Sequence, residues 1–242
     1  MKTLLFFTLD ARQTAARIVY VFLTATLFIL ICFSLRTAAP IPLTGKSAVN
    51  GEKAEKTAAL TFDCSLSNEY TDKILGVLSQ HTVKATFFVT GDWAENHPES
   101  LTAIYEAGHE IGTHSASHKH FSSLTLEEKA QELLQSRKSI SSIISAPILW
   151  FRPPYGDSDR ETYSAARASG LSCVLWDLDS QDWKNTPPKQ ISSQLASQCR
   201  DGDILLFQNE ALNTSTALSY LIPALEEKGF RFATISELYA KH

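Results

Sequence analysis

The chain has 242 residues, enough for one domain of ordinary size or two small ones. Its 44% hydrophobic and 20% charged residues describe a globular protein and exclude a disordered, collagen-like or purely coiled-coil main body. The net charge of −4 is uneven: residues 1–36 carry Lys2, Arg12, Arg17 and Arg36 against Asp10 alone, which leaves the remainder at −7. Such a surface repels a polyanion, so nucleic acid is not an expected partner. Four cysteines are too few for a disulfide scaffold, with the pairing of Cys173 and Cys199 left open.

From Ile18 to Leu35 there are 18 residues without a charge. As a helix the run would be about 27 Å long, close to the hydrocarbon thickness of a bilayer. Arg12 and Arg17 precede it, which predicts a cytoplasmic N-terminus and a domain on the extracytoplasmic side. The expected organisation is a short cytoplasmic segment (1–17), a single transmembrane anchor (18–35), a polar tether (36–57) and a folded domain (58–242). A cleaved signal sequence is the alternative for the apolar run, although its best site, Thr37-Ala38-Ala39, is followed by Pro40.

Beyond the tether, short apolar runs alternate with segments of helical period. Ala58–Asp63, Ala85–Thr90, His109–Thr113, Ile148–Phe151, Ser172–Asp177, Asp203–Phe207 and Phe230–Ile235 read as seven strands. Ile74, Leu75 and Leu78, and later Leu218, Leu221, Ile222 and Leu225, mark helical faces, and Thr125-Leu-Glu-Glu128 opens the longest helix with a capping box. This alternation predicts parallel βα units, in an open doubly wound sheet or a β/α barrel. Either architecture puts its active site at the C-terminal ends of the strands. Asp63, His114, Arg152, Asp179, Asp182 and Gln208 all fall there.

Three clusters carry chemistry. His114-Ser-Ala-Ser-His118 puts two histidines four apart, which on one face of a helical turn would suit a zinc-like ion. Asp63, at another strand end, either ligates that metal or activates its water; His109 and His120 are nearby and need no role. Phe151-Arg152-Pro153-Pro154-Tyr155-Gly156 is a stiff turn in which Arg152 can pair with a carboxylate and the Tyr155 N–H can face an oxyanion. Asp177-Leu-Asp179-Ser-Gln-Asp182-Trp183 packs carboxylates beside an aromatic wall, an arrangement common in sugar sites and in ordinary cores.

Taken in order, these motifs resemble the polysaccharide deacetylases of carbohydrate esterase family 4, over about Ala58 to Tyr239. Thr61-Phe-Asp63, His114-x3-His118, Arg152-Pro-Pro-Tyr155, Asp179-x2-Asp182-Trp183 and Ile204-Leu-Leu206 stand in the family's sequence of five. The anchor, the tether and the phrase DSQDWKN are most similar to sporulation-type deacetylases of Gram-positive bacteria, which act on peptidoglycan or chitin-like polymers. The resemblance implies a distorted β/α barrel of about seven parallel strands and removal of N-acetyl groups from the amino sugars of a cell-wall polysaccharide. It implies a divalent metal, Zn²⁺ foremost with Co²⁺ or Mn²⁺ as alternatives, bound by His114, His118 and one carboxylate. Asp63 would then be the base paired with Arg152, Asp182 would orient the acid, and Tyr155 would serve the oxyanion. Pro154, Tyr155, Trp183 and Leu206 would line the substrate.

Two positions depart from the family pattern. Cys64 stands where most members carry a second aspartate as metal ligand; a cysteine can bind zinc as thiolate, the alternative being a buried thiol. Gln208 stands where the general-acid histidine is expected, and an amide cannot deliver a proton at neutral pH. The alternative to a deacetylase is therefore a deacetylase-fold protein that binds glycan without turnover. A different metal hydrolase is disfavoured because the chain has no HExxH-like motif.

Overall fold

A computed structural model describes residues 56–240. The eight strands are β1 (Lys56–Cys64), β2 (Thr86–Val89), β3 (Glu110–Thr113), β4 (Trp150–Phe151), β5 (Ser172–Cys173), β6 (Leu178–Asp179), β7 (Ile204–Gln208) and β8 (Phe230–Phe232). All pairings are parallel, in the order β5-β4-β3-β2-β1-β7-β6, and β8 pairs with Lys56–Ala58 of β1. The strands at the two ends of this order, β5 and β6, are consecutive in the chain. The sheet thus curls into a distorted barrel that is open between them. The expected strand Ser172–Asp177 is broken there: pairing with β4 stops at Cys173, and the chain rejoins the sheet at Leu178 beside β7.

The first strand takes in Lys56 and Thr57, which the sequence reading placed in the tether. The apolar run Ile18–Leu35 lies outside the described residues. Among those described, no helix is long and apolar enough to cross a membrane. Cys64, Cys173 and Cys199 are all free thiols.

Strand periodicity sorts the residues of β1 between two layers. Ala58, Leu60, Phe62 and Cys64 join the large apolar cluster between sheet and helices, where Phe62 stacks on Phe87 at 4.7 Å and on Phe207 at 5.6 Å. Ala59 joins a smaller cluster with Phe88, Trp150, Val174, Ile204, Ile235 and Leu238. The outer layer is closed by helices including Thr71–Gln80, with Ile74 and Leu78 buried, and Thr214–Glu226, with Leu218, Leu221, Ile222 and Leu225 buried. The helix Leu126–Ser141 starts on the expected capping box: Thr125 Oγ1 accepts from the Glu128 amide, and Glu128 accepts from the Thr125 amide at 2.8 Å.

Gly112 shows how the interior is shaped. A Cβ there would come within 2.6 Å of the Phe88 ring, so glycine leaves the room that this ring occupies. That ring in turn supports the Arg152 guanidinium at 4.2 Å.

His109, just before β3, gives the domain an acid-sensitive point at the N-terminal side of the sheet, away from the C-terminal strand ends. It is 6% exposed, its Nδ1 accepts from the Ala85 amide at 3.2 Å, and burial, with the Lys84 charge adding, holds it down at about 4. The unfolded histidine titrates near 6.5, so between these values only the unfolded chain takes up the proton. This contribution to stability is present above pH 6.5 and is lost as the pH falls to 4. Denaturant unfolding of the full chain is expected to show a loss of about 3 kcal/mol over that window that His109→Asn removes. Equal acid sensitivity in that variant would contradict the assignment.

Candidate active site

Side chains of the first three motifs, Asp63, His114, His118 and Arg152, meet at the C-terminal ends of their strands. Asp63, 4% exposed, is next to last in β1; its Oδ1 accepts from Arg152 Nη1 at 2.9 Å. Arg152 follows β4 directly and is fully buried. It also donates to Thr61 Oγ1 at 2.8 Å and to the Leu175 carbonyl at 3.1 Å, with the Phe88 and Trp176 rings against its guanidinium. This multiple hold fixes the carboxylate's direction, as a single flexible ion pair would not.

The free edge of that carboxylate faces the histidines. His114 Nε2 lies 3.5 Å from Asp63 Oδ2, and His114 Nδ1 donates to the Arg152 carbonyl at 2.7 Å, which leaves Nε2 as the lone-pair nitrogen. His118 Nε2 lies 3.2 Å from His114 Nε2, and its Nδ1 is 3.2 Å from the Tyr155 hydroxyl. Burial lowers the pKa of both: it brings His118, with His114 adding, to about 4, and in His114 it outweighs the opposing Asp63 charge. Both rings are therefore neutral at pH 7, the form that binds metal.

The two histidines meet, but not on a helical turn. Residues 114–118 form a loop with left-handed backbone at Ser115 (φ 71°) and His118 (φ 56°). Glu132, from the helix Leu126–Ser141, holds this loop. It accepts from the amides of Ala116 (3.1 Å) and Ser117 (2.9 Å), from Ser117 Oγ (2.8 Å) and from Lys119 Nζ (2.9 Å). Glu132→Ala is expected to weaken metal binding by about 10–100-fold, the usual scale for groups that orient ligands. A chelator competition giving wild-type affinity would show that the loop holds its shape unaided.

Two tetrahedral ligands of zinc stand about 3.3 Å apart, and the imidazole nitrogens are 3.2 Å apart. The pair fits. A third protein ligand is not assembled: among the described residues no group of three or more His, Cys, Asp or Glu is placed to hold a metal ion. Cys64 is wholly buried in the layer beneath the helices, and burial, with Glu210 and Asp63 adding, raises its thiol well above the usual range. A thiolate ligand at Cys64 is therefore not supported. Strand alternation explains this, because Asp63 and its neighbour point to opposite faces.

Tyr155 sits in a left-handed conformation (φ 59°) inside the turn Pro154–Gly156, and is 57% exposed while Pro154 is buried. Its ring stacks on His120 at 3.7 Å and meets His118 edge-on at 4.7 Å. His120 is exposed, with Nδ1 3.3 Å from Asp157 Oδ2.

Across the mouth, Asp182 is 1% exposed, and its Oδ2 accepts from the Gln208 amide at 3.1 Å and from Thr214 Oγ1. Its Oδ1 is buried without a partner, and burial raises this carboxyl's pKa. Gln208 closes β7 directly opposite Asp63 in the ladder. Leu206 is buried two residues earlier, and Trp183 is 58% exposed with Lys184 Nζ 4.8 Å above its ring. Asp179 is on the surface, where its Oδ1 caps the Gln181 amide at 2.8 Å.

Two acidic residues close to the strand ends were not singled out from the sequence. Glu132 reads as one more acid in a charged helix. Glu210, half-buried in the turn after β7, lies four residues beyond the fifth motif; its place two residues past a strand end is the signal that could have found it.

The model of the polysaccharide deacetylase family matches residues 50–174. The chain belongs to this family. It is 33% identical to a peptidoglycan-N-acetylglucosamine deacetylase of Bacillus cereus over 76% of this chain and 88% of that one. It is 30% identical to the uncharacterised YlxY of Bacillus subtilis over 78% of this chain and 59% of that protein, and it spans 40% of the Listeria monocytogenes deacetylase PgdA. Among solved structures, the Bacillus subtilis peptidoglycan deacetylase PdaC superposes with a TM-score of 0.72 at 30% identity, covering 78% of this chain and 93% of that one. A carbohydrate esterase family 4 pseudoenzyme from Bacillus anthracis superposes at 0.74 and 30% identity, over 78% of this chain and 67% of that one. A mutant of that pseudoenzyme with restored enzymatic activity matches at 0.74 and 31%, over 78% and 69%.

Proposed function

We propose that the protein hydrolyses the N-acetyl groups of amino sugars in a cell-wall polysaccharide, peptidoglycan foremost. The observation that carries this reading is the buried Asp63–Arg152 pair set against two converging imidazoles at the barrel mouth. His114 and His118 would hold a divalent ion, zinc or else cobalt or manganese, whose chemistry is to polarise a water and the acetyl carbonyl. Asp63, fixed by Arg152, takes the proton of the attacking water through its Oδ2 edge. The Tyr155 N–H donates to the oxyanion. Pro154, Tyr155, Trp183 and Leu206 line the sugar, with the exposed Tyr155 and Trp183 rings offering faces for a pyranose. Acetate release from peptidoglycan and chitooligosaccharides by the purified full-length chain tests this. Binding of glycan with no acetate released would leave the non-catalytic reading.

That second reading has a specific observation in its favour. Gln208 cannot protonate a leaving amine, and its neighbour Asp182 keeps a buried oxygen without a partner. Gln208→His is expected to fill that gap, to raise acetate release and to add a basic limb near the histidine's pKa. A gain of ~10²-fold is the scale where no other group supplies the proton. A variant that binds metal and glycan but still releases no acetate would favour the binding reading.

We further propose that Ile18–Leu35 anchors the chain by one span, with the domain outside the cell membrane, as its flanking arginines support. Protease added to intact cells should remove the domain while an N-terminal tag stays protected. Degradation only after lysis would reverse the orientation.

A further inference from the structure

We propose that the Tyr155 hydroxyl orients the metal ligand His118, and that His120 and Asp157 hold the tyrosine ring in the pose that does so. The inference rests on the metal site of the deacetylase reading. It adds a positioning role for the Tyr155 hydroxyl to those of its N–H and its ring face. It also gives a task to His120, which spacing alone left without one.

A histidine that binds metal through one nitrogen donates its other N–H to a fixed acceptor, which sets both the tautomer and the direction of the ring. For His114 that acceptor is the Arg152 carbonyl, 2.7 Å from Nδ1. For His118 the group at Nδ1 is the Tyr155 hydroxyl, at 3.2 Å, while Nε2 faces His114 Nε2. A hydroxyl oxygen has lone pairs with which to accept the Nδ1 proton. The His118 Nε2 lone pair is then left for the ion. A solvent water could accept the same proton but would leave the ring free to turn; an oxygen on a clamped ring does not.

The clamp is built from both loops. His118 (φ 56°) and Tyr155 (φ 59°) each sit on left-handed backbone, a conformation that persists in non-glycine residues where surrounding contacts over-determine it. The His120 ring lies on the Tyr155 ring, with 3.7 Å between centroids and 16° between planes. His120 Nδ1 is 3.3 Å from Asp157 Oδ2, and the same oxygen accepts from the Ser122 amide at 3.1 Å and from Ser122 Oγ at 2.8 Å. Asp157 thus ties the turn that carries Tyr155 to the segment that follows His118. Behind that turn, Gly156 (φ 75°) passes the Trp176 ring so closely that a Cβ would come within 3.1 Å of it. Trp176 lies in turn against the Arg152 guanidinium at 5.6 Å. Held at its face by His120 and at its base by Trp176, the tyrosine delivers its hydroxyl to His118 Nδ1.

The zinc affinity of the full-length chain, measured by chelator competition without substrate, tests this. Tyr155→Phe keeps the ring, the turn and the N–H and deletes only the hydroxyl. Its zinc affinity is expected to fall by about 10–100-fold, with the melting temperature of the chelator-treated protein unchanged. The visible absorption of the cobalt-loaded variant should also shift, because a His118 ring free to turn alters the field at the ion. His120→Ala should lower affinity in the wild-type chain and have no further effect in the Tyr155→Phe background. His120→Phe, which keeps the stack, should retain most of the affinity. A Tyr155→Phe variant with wild-type zinc affinity and cobalt spectrum overturns the role. An equal loss from His120→Ala in both backgrounds overturns the clamp. A melting temperature of the chelator-treated variant that falls together with its affinity assigns the hydroxyl to structure and also overturns the role. The deacetylase reading fails separately: a wild-type chain that binds zinc but releases no acetate sinks that reading and leaves this one standing, whereas one that binds no zinc sinks both.

Discussion

Asp63→Asn is expected to abolish measurable acetate release and, in the same protein, to lower stability by about 3–5 kcal/mol. The two effects have one origin. Arg152 is fully buried and its ion pair is with Asp63; removing one member of a buried pair leaves the other charge without compensation. Removing the base separately costs ~10²–10⁴ in rate. Denaturant unfolding and an acetate assay read the two independently. A variant as stable as wild type would mean that Arg152 finds its counter-charge elsewhere. A stable, active variant would remove Asp63 from the chemistry altogether.

The second large effect concerns metal content. The purified chain is expected to carry about one divalent ion, the number a single pair of facing imidazoles can organise. His114→Ala and His118→Ala should each bring this to none. The pair has no redundancy: among the described residues no third His, Cys, Asp or Glu completes a group with them. Elemental analysis after dialysis reads the outcome, and full occupancy in both variants would refute the assignment. Retention in one alone would identify the other as a bystander.

Much of the fold was legible because short, near-continuous apolar runs with polar residues at their ends are what a buried parallel βα sheet requires. Six of the seven expected strands lie where the pattern put them. The seventh, Ser172–Asp177, failed because an apolar run says nothing of pairing: its middle crosses the opening of the barrel. The site was legible as a set of residues at strand ends but not as geometry. Spacing of four suggested a helical turn for His114 and His118, whereas left-handed residues at 115 and 118 and the carboxylate of Glu132 bring the rings together. The burial of Cys64 is legible in β1 itself, since alternation along the strand sends it to the opposite face from Asp63. Glu132 could not be singled out from the sequence, because its importance lies in partners 13 to 16 residues distant.

The most direct test of the central claim is a titration of acetate release against bound metal. The full-length chain is stripped with chelator, zinc is added back in steps, and acetate and free amine are measured on peptidoglycan at each step. The account predicts no acetate from the stripped protein, a rise that tracks occupancy of His114 and His118 up to about one ion per chain, and one amine for every acetate. Acetate release that persists at full rate without metal, or occupancy that fills with no acetate at any step, would contradict it.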